Sequence, residues 1–91
     1  MSDIEIFMEE LNLPIVFKRV DENKFIGEMY DSNTFSKIYS LLENSDLIYL
    51  LDSKVLMNEN ISQHTYENDD YIVKLNGNYK DDTYTCIIKK K

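Results

Sequence analysis

The sequence predicts an α+β domain in which two helices pack on one face of an antiparallel sheet, in the order α-β-β-α-β(β)-β-β-β. Three observations predict it. Apolar residues recur at helical spacing in two separate segments, and between and after them the pattern switches to the two-residue period of strands. Clusters of Asp, Asn and Ser divide the strand-like segments at short intervals, as antiparallel connections require. A chain of 91 residues with one proline and two glycines makes one domain, residues 1–91, with a modest core and no deep enclosed cavity.

Ser2 with Glu5 three positions later is a capping box, and Ile4, Phe7, Met8 and Leu11 follow at helical spacing. Residues 3–11 therefore read as an amphipathic helix that closes before Leu13-Pro14. Residues 14–20 and 24–30 are strand-like, and Asp21-Glu22-Asn23 suits a turn between them. Asp31-Ser32-Asn33 supplies cap residues for a second helix over about 33–44, where Phe35, Ile38, Tyr39 and Leu42 fall on one face. The run Leu47-Ile48-Tyr49-Leu50-Leu51 reads by its length as a buried central strand, with a helix as the alternative. Val55-Leu56-Met57 returns as a short partner across Asp52-Ser53-Lys54.

Residues 61–67 have no cleanly apolar face and are expected at a sheet edge. Tyr71, Val73, Leu75 and Tyr79 then alternate on one face, as do Tyr84, Cys86 and Ile88. A two-residue turn at Asp81-Asp82 sets Tyr79 opposite Tyr84 and Leu75 opposite Ile88. Any even-numbered loop keeps the two rows on the same face. Gly27 and Gly77 lie inside strand patterns, where glycine marks a bulge or a close approach of another group.

The residue usage is skewed. There is no alanine or tryptophan and one arginine, whereas Ile, Asn, Lys and Tyr abound. This is the signature of A/T-rich codons, which points to A/T-rich bacteria, their phages and mobile elements, or large DNA viruses. The single cysteine, Cys86, forbids an internal disulfide and fits a reducing compartment. The acidic start Met1-Ser2-Asp3-Ile4-Glu5 is unlike a signal peptide, and no apolar run approaches the ~18 residues that span a bilayer. The expected location is the cytoplasm.

Net charge is −7, carried wholly by residues 1–60, where twelve acids face five bases; residues 61–91 hold five of each. Such a field repels nucleic acid and anionic membrane and attracts basic protein surfaces. Direct nucleic-acid binding needs an excess of Lys and Arg, whereas here seventeen acids outnumber ten bases.

Catalytic chemistry finds little support. His64 and Cys86 are single copies, and if the strand of residues 71–79 lies between them their backbones are roughly 9–10 Å apart. Cys86 reads as an inward core residue and His64 as a surface residue on an edge strand. Asp69-Asp70 and Asp81-Asp82 sit at opposite ends of that strand and cannot share a cation. Two glycines cannot build a phosphate-binding loop. No enzyme activity, metal or cofactor is expected.

What remains is a protein-binding surface. On the first helix Ile6 projects outward among Asp3, Glu5, Glu9 and Glu10, an apolar anchor within a charged rim. Asp21, Glu22, Glu28 and Asp31 extend the acidic set. Tyr30, Tyr49, Tyr66 and Tyr71 are too many for so small a core, so the C-terminal meander, through Tyr66 and Tyr71, offers a second candidate surface.

In size, acidity, codon usage and α+β pattern the chain resembles the small acidic inhibitors that phages encode against host defence. Anti-CRISPR proteins and uracil-DNA glycosylase inhibitors are among them, and many present carboxylates in place of DNA phosphates. The resemblance implies a non-enzymatic inhibitor that binds a basic, nucleic-acid-handling host or defence protein through an acidic surface. The alternative is an immunity protein, antitoxin or assembly adaptor directed at a toxin or partner subunit. Monomer and homodimer are both compatible with the sequence.

Overall fold

The structure, a computed structural model, describes residues 2–91. Helix α1 (Asp3–Leu11) leads into the hairpin β1 (Phe17–Asp21) and β2 (Lys24–Met29), and α2 (Ser32–Glu43) follows. A meander completes the chain: β3 (Tyr49–Leu56), a 3₁₀ turn over Met57–Glu59, β4 (Ile61–Glu67), β5 (Tyr71–Asn78) and β6 (Thr83–Lys90). All six strands form one antiparallel sheet in the order β1-β2-β6-β5-β4-β3. Both helices lie on one of its faces, the α+β arrangement the sequence predicts.

Local chemistry fixes each helix start. The Ser2 backbone N–H and hydroxyl both donate to Glu5 Oε1, at 3.2 and 2.8 Å, which closes the capping box. Asp31 caps α2 by accepting from the Thr34 N–H at 2.7 Å and its hydroxyl at 2.9 Å. Asn12 ends α1 in the left-handed conformation, where its N–H returns to the Met8 carbonyl. Phe7 of α1 stacks on Tyr71 with ring centroids 4.4 Å apart, and Phe35 of α2 stacks on Tyr84 at 4.6 Å.

Three rows of side chains cross the helix-covered face from strand to strand. Phe17, Gly27, Cys86, Leu75, His64 and Ser53 form one. Arg19, Phe25, Ile88, Val73, Tyr66 and Leu50 form the next, and Met29, Tyr84, Gly77, Ser62 and Val55 the third. Central members are fully buried, while β3 is exposed along its whole length. Gly77 is required by close approach: a Cβ there would lie 3.0 Å from Ser62 Oγ and 3.2 Å from the Phe35 and Tyr84 rings.

The structure corrects four expectations. Residues 47–51 are no central strand, and Asp52-Ser53-Lys54 is no turn. One continuous strand runs from Tyr49 to Leu56 at the sheet edge, with Leu51 as an extra residue between the pairs Leu50–Tyr66 and Asp52–Thr65. The cause is topological: β3 opens a meander joined by short turns, and β2 pairs with β6 rather than with β3. Residues 61–67 are accordingly internal, and His64 is buried on the helix side. The β5–β6 loop has four residues rather than two, so Leu75 faces Cys86 and Gly77 faces Tyr84. The loop is even and both rows stay inward, as expected. Finally, Tyr66 and Tyr71 are core residues rather than surface residues.

Two outcomes test this packing. Gly77→Val should destabilise the fold by ~1–3 kcal/mol, as overpacking does, seen as a lower denaturation midpoint in urea. Cys86 is fully enclosed, and burial pushes its thiol up to about 12. Labelling of the native thiol at neutral pH should therefore be slow and accelerate on unfolding. Fast labelling of folded protein would place Cys86 outside the core.

Candidate functional site: the acidic face of helix α1

Helix α1 lies across the end of the sheet that carries the β4–β5 turn. Ile4 and Phe7 face the core, which leaves Asp3, Ile6, Glu9 and Glu10 on the solvent side. Ile6 is 43% exposed, a large value for an isoleucine in a helix that otherwise segregates well. The β4–β5 turn brings Asp70 to the same place. Asn68 Oδ1 shapes that turn by accepting from the N–H groups of Asp70 and Tyr71, at 2.9 and 2.8 Å. Asp3, Ile6, Glu10, Asp70 and the edge of Tyr71 together border a shallow depression of about 290 Å³.

The electrostatics are legible in Tyr71. Burial raises its phenol pKa above the ordinary value, and the nearby charges of Asp3 and Asp70 raise it further. Glu5 plays a different part. Ser2 hydrogen bonds hold its carboxyl below the usual range, with help from Arg19 at 3.7 Å. Its carboxylate thus serves the helix start while its side chain stays partly exposed.

On the other flank of α1, a groove of about 330 Å³ opens against β1. Met8, Leu13, Ile15, Phe17 and Phe25 line it, with Glu5 and Glu9 at the rim. The Arg19 guanidinium lies 5.3 Å from the centroid of the Phe25 ring.

The remaining acids expected at the site are dispersed. Asp21 and Glu22 sit in the β1–β2 turn, where Asp21 Oδ1 accepts from the Asn23 N–H at 2.8 Å. That turn adjoins the lysines of β6: Lys89 pairs with Lys24, and the Lys90 N–H donates to the Asn23 carbonyl. The division of charge along the chain is thus undone in space. Glu28 and Asp31 lie toward the far end of β2, roughly 13 Å or more from the turn at the strand repeat. Glu28 accepts the Tyr30 hydroxyl and Asp31 caps α2. Sequence reasoning missed Asp70 because residues 61–91 are neutral as a segment, and only the topology carries this acid to α1.

A second polar cluster lies under α2. Ser53 Oγ and His64 Nδ1 are 2.7 Å apart, and the imidazole packs on Tyr39 with ring centroids 4.9 Å apart. Glu43 accepts the Tyr66 hydroxyl at 3.0 Å. The Ser53–His64 contact has the composition of a nucleophile–base pair, but the imidazole has no hydrogen bond to a carboxylate, and Glu43 accepts from Tyr66 instead. The cluster joins β3 to β4 and lets polar residues occupy the inner face. Leu75 separates His64 from Cys86, as the spacing argument expects. Among the described residues no three His, Cys, Asp or Glu side chains converge as a metal site would need, and no helix is long and apolar enough to cross a membrane.

Compared with known proteins, the chain matches no family model, no curated sequence and no solved structure.

His64 makes the pH dependence testable. Desolvation lowers its pKa below 6.5, partly opposed by the Glu43 charge. The unfolded chain therefore takes up a proton first, so stability is full above about pH 6.5 and falls as pH drops toward the folded pKa. Glu5, Asp31 and Glu67 have lowered carboxyl pKa values and lose their contributions only below their ordinary range, near pH 4.5. Urea midpoints should fall between pH 7.5 and about 5. A His64→Gln variant should be flat over that interval. An equal slope in both proteins would sink the assignment.

Proposed function

We propose that this protein is a non-enzymatic inhibitor that acts in the cytoplasm and binds a basic, nucleic-acid-handling protein through the acidic face of α1. One observation carries the reading: Ile6, exposed, stands among Asp3, Glu10 and Asp70, contributed by two separate elements. An apolar centre with a charged border is the anatomy of a protein contact. Uncompensated carboxylates of this kind steer a basic surface toward it and repel the phosphates of nucleic acid. The resemblance to phage-encoded anti-defence inhibitors supports the same class of partner.

The groove beside α1 favours a second reading. A phosphate mimic needs carboxylates and little else, whereas an apolar groove rimmed by Glu5 and Glu9 would seat a side chain of a toxin or partner subunit. An immunity protein, antitoxin or adaptor would use it so.

Charge reversal separates the two readings, using a partner recovered by affinity capture. Asp3→Lys, Glu10→Lys and Asp70→Lys together should keep the fold, because each is exposed and outside the caps, and none of them borders the groove. Glu5 is spared because reversing it would break the capping box. The triple variant should associate about tenfold or more slowly, with a flatter salt dependence, since long-range charge acts on the on-rate. DNA should compete with the wild type for the partner. Unchanged rates and no competition by DNA would defeat the inhibitor reading. Faster dissociation of a Met8→Ala, Phe17→Ala pair would then place the contact in the groove.

A further inference from the structure

The sheet has two edges, and they are built differently. Strand β1 is short, begins just after Pro14, carries Lys18 and Arg19, and is bulged between Arg19 and Asp21. Pairing β1 with a second β1 about its centre would set Arg19 against Arg19. Short length, bulges and like charge are the usual guards of a free edge. Strand β3 is longer and apolar at both ends, and its own bulge, at Leu51, leaves the stretch from Asp52 to Leu56 regular. Leu51 and Val55 are each 56% exposed, and Leu50 and Leu56 nearly as much. The outer row of β3 backbone N–H and C=O groups has no strand beside it.

Its two charges lie symmetrically about Ser53. Asp52 and Lys54 point to the uncovered face of the sheet, opposite Thr65 and Gln63. Among the described residues neither forms an ion pair. If two copies of β3 met antiparallel with Ser53 opposite Ser53, Asp52 of each would face Lys54 of the other. A two-fold axis normal to the sheet keeps inner residues opposite inner residues, so only slips of two residues in the register sum preserve the pairing of faces. One such slip sets Asp52 against Asp52, and the other sets Lys54 against Lys54. Like charges directly opposite destabilise a strand pair, and opposite charges support it.

We propose that β3 is a self-association edge, at which two copies of this chain pair antiparallel about Ser53 into one continuous sheet. The charges that would guard this edge against other strands select this partner and this register. The apolar residues at both ends of β3 are covered in the same step. Both pairs of helices then lie on one face of the joined sheet. The acidic surface of α1 is displayed twice and shares no residue with the seam, so the inference stands independently of the partner proposed for that surface.

Sedimentation equilibrium on the full chain over roughly 1 μM to 1 mM, the range of weak to moderate association, tests it. The wild type should pass from the mass of one chain toward two. D52K alone and K54E alone each create two like-charge oppositions and should weaken the dimer about tenfold or more. The double variant D52K/K54E restores complementarity in the same register and should dimerise like the wild type. So should an equimolar mixture of the two single variants, whose charges complement each other only across the seam. Thermal melts at low concentration confirm that each variant is folded. A wild type that stays monomeric at the highest concentration overturns the proposal. So does a dimer indifferent to both single variants, or a mixture no stronger than its components.

Discussion

Everything in this fold depends on keeping three strand alternations in phase. Strands β4, β5 and β6 each send every second residue toward the helices, and only the observed registers align those residues into rows. Shifting any one strand by a single residue would turn Val73, Leu75 or Cys86 to solvent and present Lys74, Asn76 or Thr85 to the helices. With the rows set, the helices have little freedom. Phe35 enters where Gly77 leaves space beside Tyr84, and Phe7 lies on Tyr71. The small residues Gly27 and Gly77 and the large ones around them make one relief, to which α1 and α2 are fitted.

The inner face is not uniformly apolar, and its polar members explain how so small a domain covers a six-stranded sheet. Two helices of nine and twelve residues cannot shield every row, so coverage fades toward β3. There Ser62, His64 and Tyr66 take the inward positions, each with a hydrogen-bond partner: Tyr79, Ser53 and Glu43. A buried polar group costs little when it is bonded and much when it is not. The polar border thus lets the core stop at β4 without leaving a large apolar area bare on the inner face. Beyond it β3 carries what the helices do not reach.

How much of this was legible in the sequence follows from the range of the information involved. Both helices, their caps and the inward rows of β5 and β6 were readable because they depend on neighbours a few residues apart. The position of β3 was not, since an apolar run of five residues looks the same at the centre of a sheet as at its edge. Which it becomes depends on whether β2 pairs with β3 or with β6, a choice made across half the chain. The acidic site shows the same limit. Ile6 and its neighbours on α1 were readable from helical spacing, whereas Asp70 joins them only through the fold. Conversely, Asp21 and Glu22 belong to the acidic part of the sequence and yet sit beside the lysines of β6.

The central place of β6 also sets the order in which the molecule can assemble. It is the last strand in the chain, and it alone joins the β1–β2 hairpin to the β3–β5 meander. Its pairs with β2 link residues more than fifty positions apart. Closing a loop of that length precedes any gain from the contacts it permits, which makes such pairings slow. During synthesis α1 and the early hairpin emerge before the strand that supports them. Until then Phe25, Met29, Phe7 and Ile4 lack the strand against which they are buried in the finished fold.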